Sequence, residues 1–149
     1  MARFTVPVAV VVLLERVCNG KRQVLLQRRQ NTGFGDGLWD FSCSGHVECG
    51  ESLRDACIRE CGEELGIDVK AENLRFFTLV YKRDGDITYC NPYFILAEFS
   101  GVPRICEEGK CSAIGWFDID ALPSELLPDR REALCALQKG TPLIEYTVK

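Results

Sequence analysis

The sequence has almost no histidine: His46 is the only one in 149 residues. It has no C-x2-C pair either, although it carries nine cysteines. Cys57 and Cys61 are separated by three residues and Cys106 and Cys111 by four, and His46 lies apart from both pairs. A structural zinc site built on the usual cysteine and histidine spacings is therefore not expected. An odd number of cysteines argues against a disulfide framework. No secretory signal of the usual form is expected, because Glu15 and Arg16 follow the apolar run Val6–Leu14 with no small-residue cleavage site. The thiols are read as reduced, in a cytoplasmic protein, with Cys57 and Cys61 acting as small buried hydrophobes beside Leu53 and Leu65. That apolar run is too short to span a bilayer, which takes about 20 residues, so no membrane partner is expected. There is no basic run. A net charge of −4 with 27% charged residues spread along the chain offers no nucleic-acid surface. Repeats, linkers and low-complexity stretches are also missing. The length suits one domain over residues 1–149, able to bury roughly two-thirds of its unfolded surface without staples.

What the chain does have is a cluster of acids on one predicted helix. In the segment GHVECGESLRDACIRECGEELGI, from Gly45 to Ile67, Ser52 and Asp55 resemble a capping box and Gly66 suits a left-handed helix end. Between them Glu60, Glu63 and Glu64 stand at i, i+3 and i+4, with Arg59 beside them. Carboxylates at that spacing share a face and repel, weakening a bare helix by a few tenths of a kcal/mol per pair. A cation would relieve the repulsion. Oxygen-only ligands favour a hard divalent ion, Mg²⁺ or Mn²⁺, and magnesium commonly bridges carboxylates to substrate phosphates. Gly62, inside the helix, costs about 1 kcal/mol relative to alanine and has no local reason.

The same segment resembles the signature of the Nudix hydrolases, G-x5-E-x7-R-E-U-x-E-E-x-G-U with U apolar. Gly45, Glu51, Arg59, Glu60, Glu63, Glu64 and Gly66 match every fixed letter, and Cys61 and Ile67 fill the U positions. Seven such matches arise by chance on the order of once in a billion starts. VLLQRRQNTGFGDGLWDF before the box and GVPRICEEGKCSAIGWFDIDALP after it extend the likeness. The resemblance implies an α/β/α sandwich with a mixed β-sheet. It implies a MutT-like, metal-dependent hydrolase that cleaves the diphosphate linkage of a nucleoside diphosphate joined to another group. The substrate implied is a small nucleotide or nucleotide-derived diphosphate, handled by a monomer or homodimer.

Residue by residue, the resemblance assigns Glu60 and Glu64 to the metals and Glu63 to a third ligand. Glu51 would reach metal through water, the Gly45 carbonyl would complete the coordination, and Arg59 would orient the glutamates. A general base is expected at Glu107 or Glu108 in the loop after the later strands, with Glu107 slightly preferred. Glu60 and Glu63 compete for that role. Arg28 and Arg29 are candidates for phosphate contact, and strand alternation lets only one of them face the site. Phe34, Trp39 and Tyr81 are candidates for stacking a base or ribose, with Phe41 and Phe94 the further aromatics considered.

The stretch Phe41-Ser42-Cys43-Ser44-Gly45 lacks the proline many nucleotide-cleaning members carry before the box. Its Ser-Gly-His ending is similar to isopentenyl diphosphate isomerases, which share the fold. Those enzymes place a cysteine immediately before the Gly-His pair, where this chain has Ser44. An isomerase-like enzyme and a non-catalytic regulatory module are thus the alternatives, the second disfavoured by the intact glutamates. His46, as the partner of Gly45, is a candidate to line the entrance, with a hydrogen-bonded structural role the preferred expectation.

Predicted strands run over Phe4–Glu15, Gln23–Arg28, Trp39–Cys43, Leu74–Lys82, Ile87–Ser100 and Ile114–Asp118. Turns are expected at Asn19-Gly20 and Asp84-Gly85, a Gly-rich loop over Asn31–Gly37, and a second helix over Pro128–Lys139 with Ala133, Leu134 and Leu137 inward. The tail beyond Lys139 carries only weak signals.

Overall fold

The computed structural model describes all residues from 1 to 149. Eight strands form a mixed sheet. They are β1 (Ala9–Cys18), β2 (Lys21–Arg29), β3 (Trp39–Phe41), β4 (Cys43–His46), β5 (Leu74–Asp84), β6 (Ile87–Leu96), β7 (Cys111–Asp118) and β8 (Leu143–Thr147). Helices α1 (Leu53–Leu65) and α2 (Pro128–Lys139) complete the fold. The strand order is β3-β2-β1-β6-β5-β8, with β4 also on β1 and β7 also on β2.

The apolar run in β1 is buried on both faces, and its alternation divides the core. Val10, Val12 and Leu14 pack with Ala56, Cys57, Cys61 and Leu65 of α1. Val11 and Leu13 pack with Ala133 and Leu134 of α2. The sheet thus lies between the two helices as an α/β/α sandwich. Strand β1 pairs parallel with β6 and antiparallel with β4 through its first half, then antiparallel with β2 through its second. The β1–β2 hairpin closes on Asn19 and Gly20, both at positive φ (51° and 76°), as a type I′ turn requires.

Several expected elements shift. The first strand begins at Ala9 and not at Phe4. Phe4 is exposed, and only the Pro7 carbonyl and a bridge at Val8 tie the preceding segment to β6. The strand expected over Trp39–Cys43 divides at Ser42, where β3 follows β2 and β4 follows β1. The buried Ser42 hydroxyl spans the fork, accepting from the Leu14 N–H at 2.8 Å and donating to the Leu25 carbonyl at 2.7 Å. Strand β6 ends at Leu96, four residues early, and β7 begins at Cys111. β7 is not the last strand, because β8 adds parallel to β5 at the sheet edge. Leu53 is partly exposed and does not join Cys57, Cys61 and Leu65 inside. All nine cysteines are free thiols. Nothing in the structure explains Gly62.

Candidate active site

The box segment folds as strand, loop and helix. Strand β4 carries Ser44, Gly45 and His46 to the edge of a cavity, and α1 lays its acidic face alongside. Ser52 caps α1, accepting from the Asp55 N–H while the Asp55 carboxylate accepts from the Ser52 N–H, both at 3.0 Å. Gly66 ends the helix in the left-handed conformation, φ 66°.

Gly45 is required by space. A Cβ there would meet the carboxylate of Glu60. Gly45→Ala is therefore expected to displace Glu60, lowering activity at least tenfold with little change in melting temperature. Paired kinetics and thermal melts check this.

Arg59 gathers the acids. Its Nε and Nη2 donate to Glu51 at 2.5 and 3.1 Å, and its Nη1 reaches Glu60 at 2.6 Å and Glu63 at 3.4 Å. Its Nη2 also donates to the His46 carbonyl at 2.9 Å, tying α1 to β4. These partners raise the guanidinium pKa, and Arg59 in turn holds the Glu51 carboxyl below its usual range. Glu60 goes the other way. Burial pushes its pKa up, and the Arg59 charge only partly opposes this.

Glu64 is half-buried at the wall of a cavity and has no cation. Its carboxylate accepts only from the Ser44 N–H, at 3.3 Å. Burial, then the charge of Glu60, pushes its pKa up to about 8. No three of the chain's carboxylate, thiol or imidazole groups converge on one point, since Arg59 draws Glu51 and Glu60 toward itself and Glu63 is exposed. The donor set nevertheless suits a hard divalent cation: it is all oxygen, and the half-buried Glu64 carboxylate has no countercharge.

Two adjoining cavities open beside these acids. The first, about 370 Å³, brings Ser44, Gly45 and Glu64 together with Glu107, Arg29 and Lys110. The second, about 410 Å³, shares Arg29, Thr32, Ser44 and His46 with the first and extends to Phe34, Lys82 and Tyr89. Asp36 knots the loop before β3. It accepts from the Thr32 hydroxyl at 2.7 Å, the Thr32 N–H at 2.9 Å and the Gly33 N–H at 3.2 Å, and these bonds hold its carboxyl below the usual range. The loop presents Phe34 to the second cavity, with Lys82 Nζ 4.4 Å and the Arg29 guanidinium 5.5 Å from its ring centre.

The alternation on β2 separates the two arginines. Arg29 lines both cavities, while Arg28 is exposed and donates to the Gly37 carbonyl at 3.0 Å. Among the loop acids, Glu107 lines the first cavity and its charge acts on Glu60 and Glu64, whereas Glu108 is exposed and lines neither cavity. Trp39 and Tyr81 also line neither. Trp39 packs edge-on to Phe117 at 4.9 Å, and its backbone pairs with Glu125 and Leu127 on the approach to α2. Tyr81 lies on the opposite side of β5 from Lys82, because neighbouring strand residues alternate. Phe41 and Phe94 are fully buried. His46 stands exposed at the mouth of both cavities, 5.7 Å from the Tyr89 ring, and not as a hydrogen-bonded structural residue. Sequence reasoning missed Lys82, Tyr89, Asn91 and Lys110. Period-2 alternation along β5 and β6 is the signal that would have found the first three.

Residues 6–137 match the NUDIX domain family. The chain belongs to the NUDIX domain family. It is 34% identical over 120 residues to the NAD-capped RNA hydrolase NudC of Chromobacterium violaceum, covering 80% of this chain and 41% of that protein. It is 30% identical over 111 residues to an isopentenyl-diphosphate Delta-isomerase of Serratia proteamaculans, covering 73% of this chain and 62% of the isomerase. The chain thus spans about two-fifths to three-fifths of the length of these curated relatives. Among solved structures, a MutT NUDIX hydrolase from Burkholderia pseudomallei superposes with a TM-score of 0.78 at 29% identity, over 90% of this chain and 99% of that one. The NUDIX domain of Shewanella oneidensis NrtR, solved with ADP-ribose, superposes with a TM-score of 0.73 at 17% identity, over 92% of this chain and 89% of that one, a likeness of fold. In this Nudix domain α1 and the strand before it form the box.

Proposed function

We propose that the protein is a divalent-metal-dependent hydrolase of nucleoside diphosphate-linked compounds, cleaving a phosphoric anhydride by attack of water on phosphorus. The observation that carries this reading is the first cavity. The half-buried carboxylate of Glu64 lines it beside Ser44 and Gly45, and Arg29, Lys110 and the acid Glu107 complete the wall. Glu60 and Glu64 would hold Mg²⁺ or Mn²⁺, with Glu51, Glu63 and the Gly45 carbonyl around them. When bound, such an ion polarises the phosphoryl oxygens and lowers the pKa of water.

The chain's own residues do the rest. Arg59 holds Glu51 and Glu60 in place. Arg29, itself fixed by Asp40 at 2.7 Å, and Lys110 neutralise the charge that develops on the phosphoryl oxygens. Glu107 takes the proton of the attacking water, being the loop acid that lines the cavity.

An isomerase reading has less support, although isomerases are among the relatives. Cys43 is completely buried and packs on Cys61 of α1 with the two sulfurs 3.3 Å apart, so Ser44, and not Cys43, lines the cavity beside Gly45 and His46; the cysteine that lines it is Cys111, at the start of β7. Lys82, Asp84 and Asn91 in the second cavity also give an isoprenyl chain a poor apolar bed.

A panel of nucleoside triphosphates, ADP-ribose, dinucleotides and sugar nucleotides with Mg²⁺ or Mn²⁺, read by the phosphorylated products released, tests the proposal. Hydrolysis of at least one compound is expected, yielding two phosphorylated products. Isomerisation of isopentenyl diphosphate with no nucleotide cleaved would overturn it. Glu107→Gln is expected to lower turnover at least a hundredfold and Glu108→Gln less than threefold. Equal, small effects would move the base into the box.

A further inference from the structure

The hairpin of β5 and β6 extends past the helix α2 core and forms one wall of the second cavity. Register places Lys82 opposite Tyr89, Asp84 opposite Ile87 and Val80 opposite Asn91. All six therefore share one face, while Tyr81, Arg83, Thr88 and Cys90 take the other. The order along this face matters. Asn91 lines the second cavity next to Ala9, which lines both, and its amide is fixed because Nδ2 donates to the Ala9 carbonyl at 2.9 Å. A carbonyl can pair only with the amide nitrogen, so Oδ1 is left as an acceptor without a protein partner. Tyr89 and Phe34 come next. Asp84 lies furthest out, four residues from the Val80–Asn91 pair, about 13 Å at about 3.3 Å per residue. That is the length scale of a nucleoside.

The charges along this wall are mostly spent. Lys82 pairs with Asp129 at 3.3 Å, Arg130 with Asp40 at 2.6 Å, and Arg29 with Asp40 at 2.7 Å. Asp84 is the exception, a half-buried carboxylate that lines the cavity with no hydrogen bond or ion pair from the protein. The compartment thus offers two aromatic rings, an acceptor near the reacting end and an acceptor-only anion at the far end.

We propose that this second compartment is the nucleoside subsite, and that Asp84 selects a base bearing an exocyclic amine at its distal edge. The inference rests on the nucleotide reading above and deepens it. The base stacks between Phe34 and Tyr89. Asn91 Oδ1 accepts from a ribose hydroxyl. The Asp84 carboxylate accepts from the amine, the pairing a carboxylate makes with the amino group of cytosine. A keto group in the amine's place would set oxygen against oxygen, with the accompanying ring proton displaced to the neighbouring nitrogen and away from the amine's position, and a site built to pair a donor discriminates strongly against its loss.

The probes are adenosine and inosine 5′-monophosphates, and cytidine and uridine 5′-monophosphates, titrated calorimetrically into the intact protein. Each pair differs in replacing the amine by a keto oxygen with its ring proton. Binding needs no hydrolysis, so the result is independent of turnover. The amino member of each pair is expected to bind at least tenfold tighter. In Asp84→Asn, whose amide can donate as well as accept, the ratio should fall within threefold while the melting temperature stays put. Arg83→Gln, on the opposite face, should keep the wild-type ratio. Ratios within threefold in the wild type, or unchanged in Asp84→Asn, overturn the assignment. Retained discrimination with no nucleotide hydrolysed sinks the hydrolase reading and leaves the base subsite standing.

Discussion

Glu64→Gln is expected to lower turnover by roughly 10²–10³ or more, the scale reached when one charge-stabilising group is removed from a preorganised site. The protein should stay folded and, without metal, become more stable. The cause lies in the position of Glu64: its carboxyl is drawn partly out of water, has only the Ser44 N–H as donor, and is pushed up to about 8. In the unfolded chain the same group ionises near 4.5, as a free glutamate does. A folded pKa above the unfolded one means that the folded state favours the protonated acid. The associated stability is fully present below pH about 4.5, drains away as pH rises toward 8, and is gone above that. The metal-free wild type should therefore lose melting temperature between pH 5 and pH 8 by more than Glu64→Gln does, with a gap of several degrees at pH 8. Mn²⁺ should reverse the order. An ion that binds the folded site alone adds about 2.7 kcal/mol at one hundred times its Kd, or roughly 5–10 °C for a domain of this size. Melts at both pH values, with and without Mn²⁺ against a monovalent salt of equal ionic strength, read this directly. An equal Mn²⁺ shift in wild type and variant would mean that the ion acts elsewhere. Full activity in Glu64→Gln would remove Glu64 from the reaction.

The largest stability loss should come from Asp40, which the catalytic proposal uses only through Arg29. Asp40 is completely buried. It accepts from Arg130 Nε at 2.6 Å, from Arg29 Nη1 at 2.7 Å and from the Phe41 N–H at 2.6 Å. Arg130 is buried as well and donates onward to the Tyr93 hydroxyl at 2.6 Å and to Asp129 at 3.1 Å. Burial alone would raise the Asp40 pKa, but the Arg130 and Arg29 charges outweigh it and hold the carboxyl low. A depressed folded pKa contributes stability that is present above the unfolded value and lost as pH falls through the folded one, so this network weakens in acid. Asp40→Ala leaves the buried Arg130 with only the Asp129 carboxylate it shares with Lys82 and leaves Arg29 without its partner, a change that costs about 3–5 kcal/mol. Asp40→Leu combined with Arg130→Met should recover part of that loss, because the buried Arg130 charge leaves with its partner and Asp129 keeps Lys82. Urea midpoints of the single and double variants make the comparison. A loss under 1 kcal/mol in the single variant would show that the network carries little stability. Asp40→Ala should also raise KM, since Arg29 loses the partner that aims it into both cavities.

The box was legible in the chain because its chemistry is local. Ser52, Asp55, Glu60, Glu63, Glu64 and Gly66 lie within one helix and its caps, where spacing converts directly into geometry. The second helix was legible for the same reason, its observed bounds falling at Pro128 and Lys139 as expected. The sandwich followed from β1, whose doubly buried apolar run needs a helix on each side. The edge strand β8 could not be read, since only Ile144 and Tyr146 of its five residues pack inward and its pairing partner lies some sixty positions away in sequence. Neither could the choice between neighbours on a strand. Whether Tyr81 or Lys82 meets the cavity, or Arg28 or Arg29, depends on register, and a slip of one residue reverses every side chain. The pairing of Asp40 with Arg130 spans ninety positions, and the meeting of Glu107 with Glu64 requires a loop to return over the helix. Contacts of that kind exist only once the chain has closed on itself, because no local spacing encodes them.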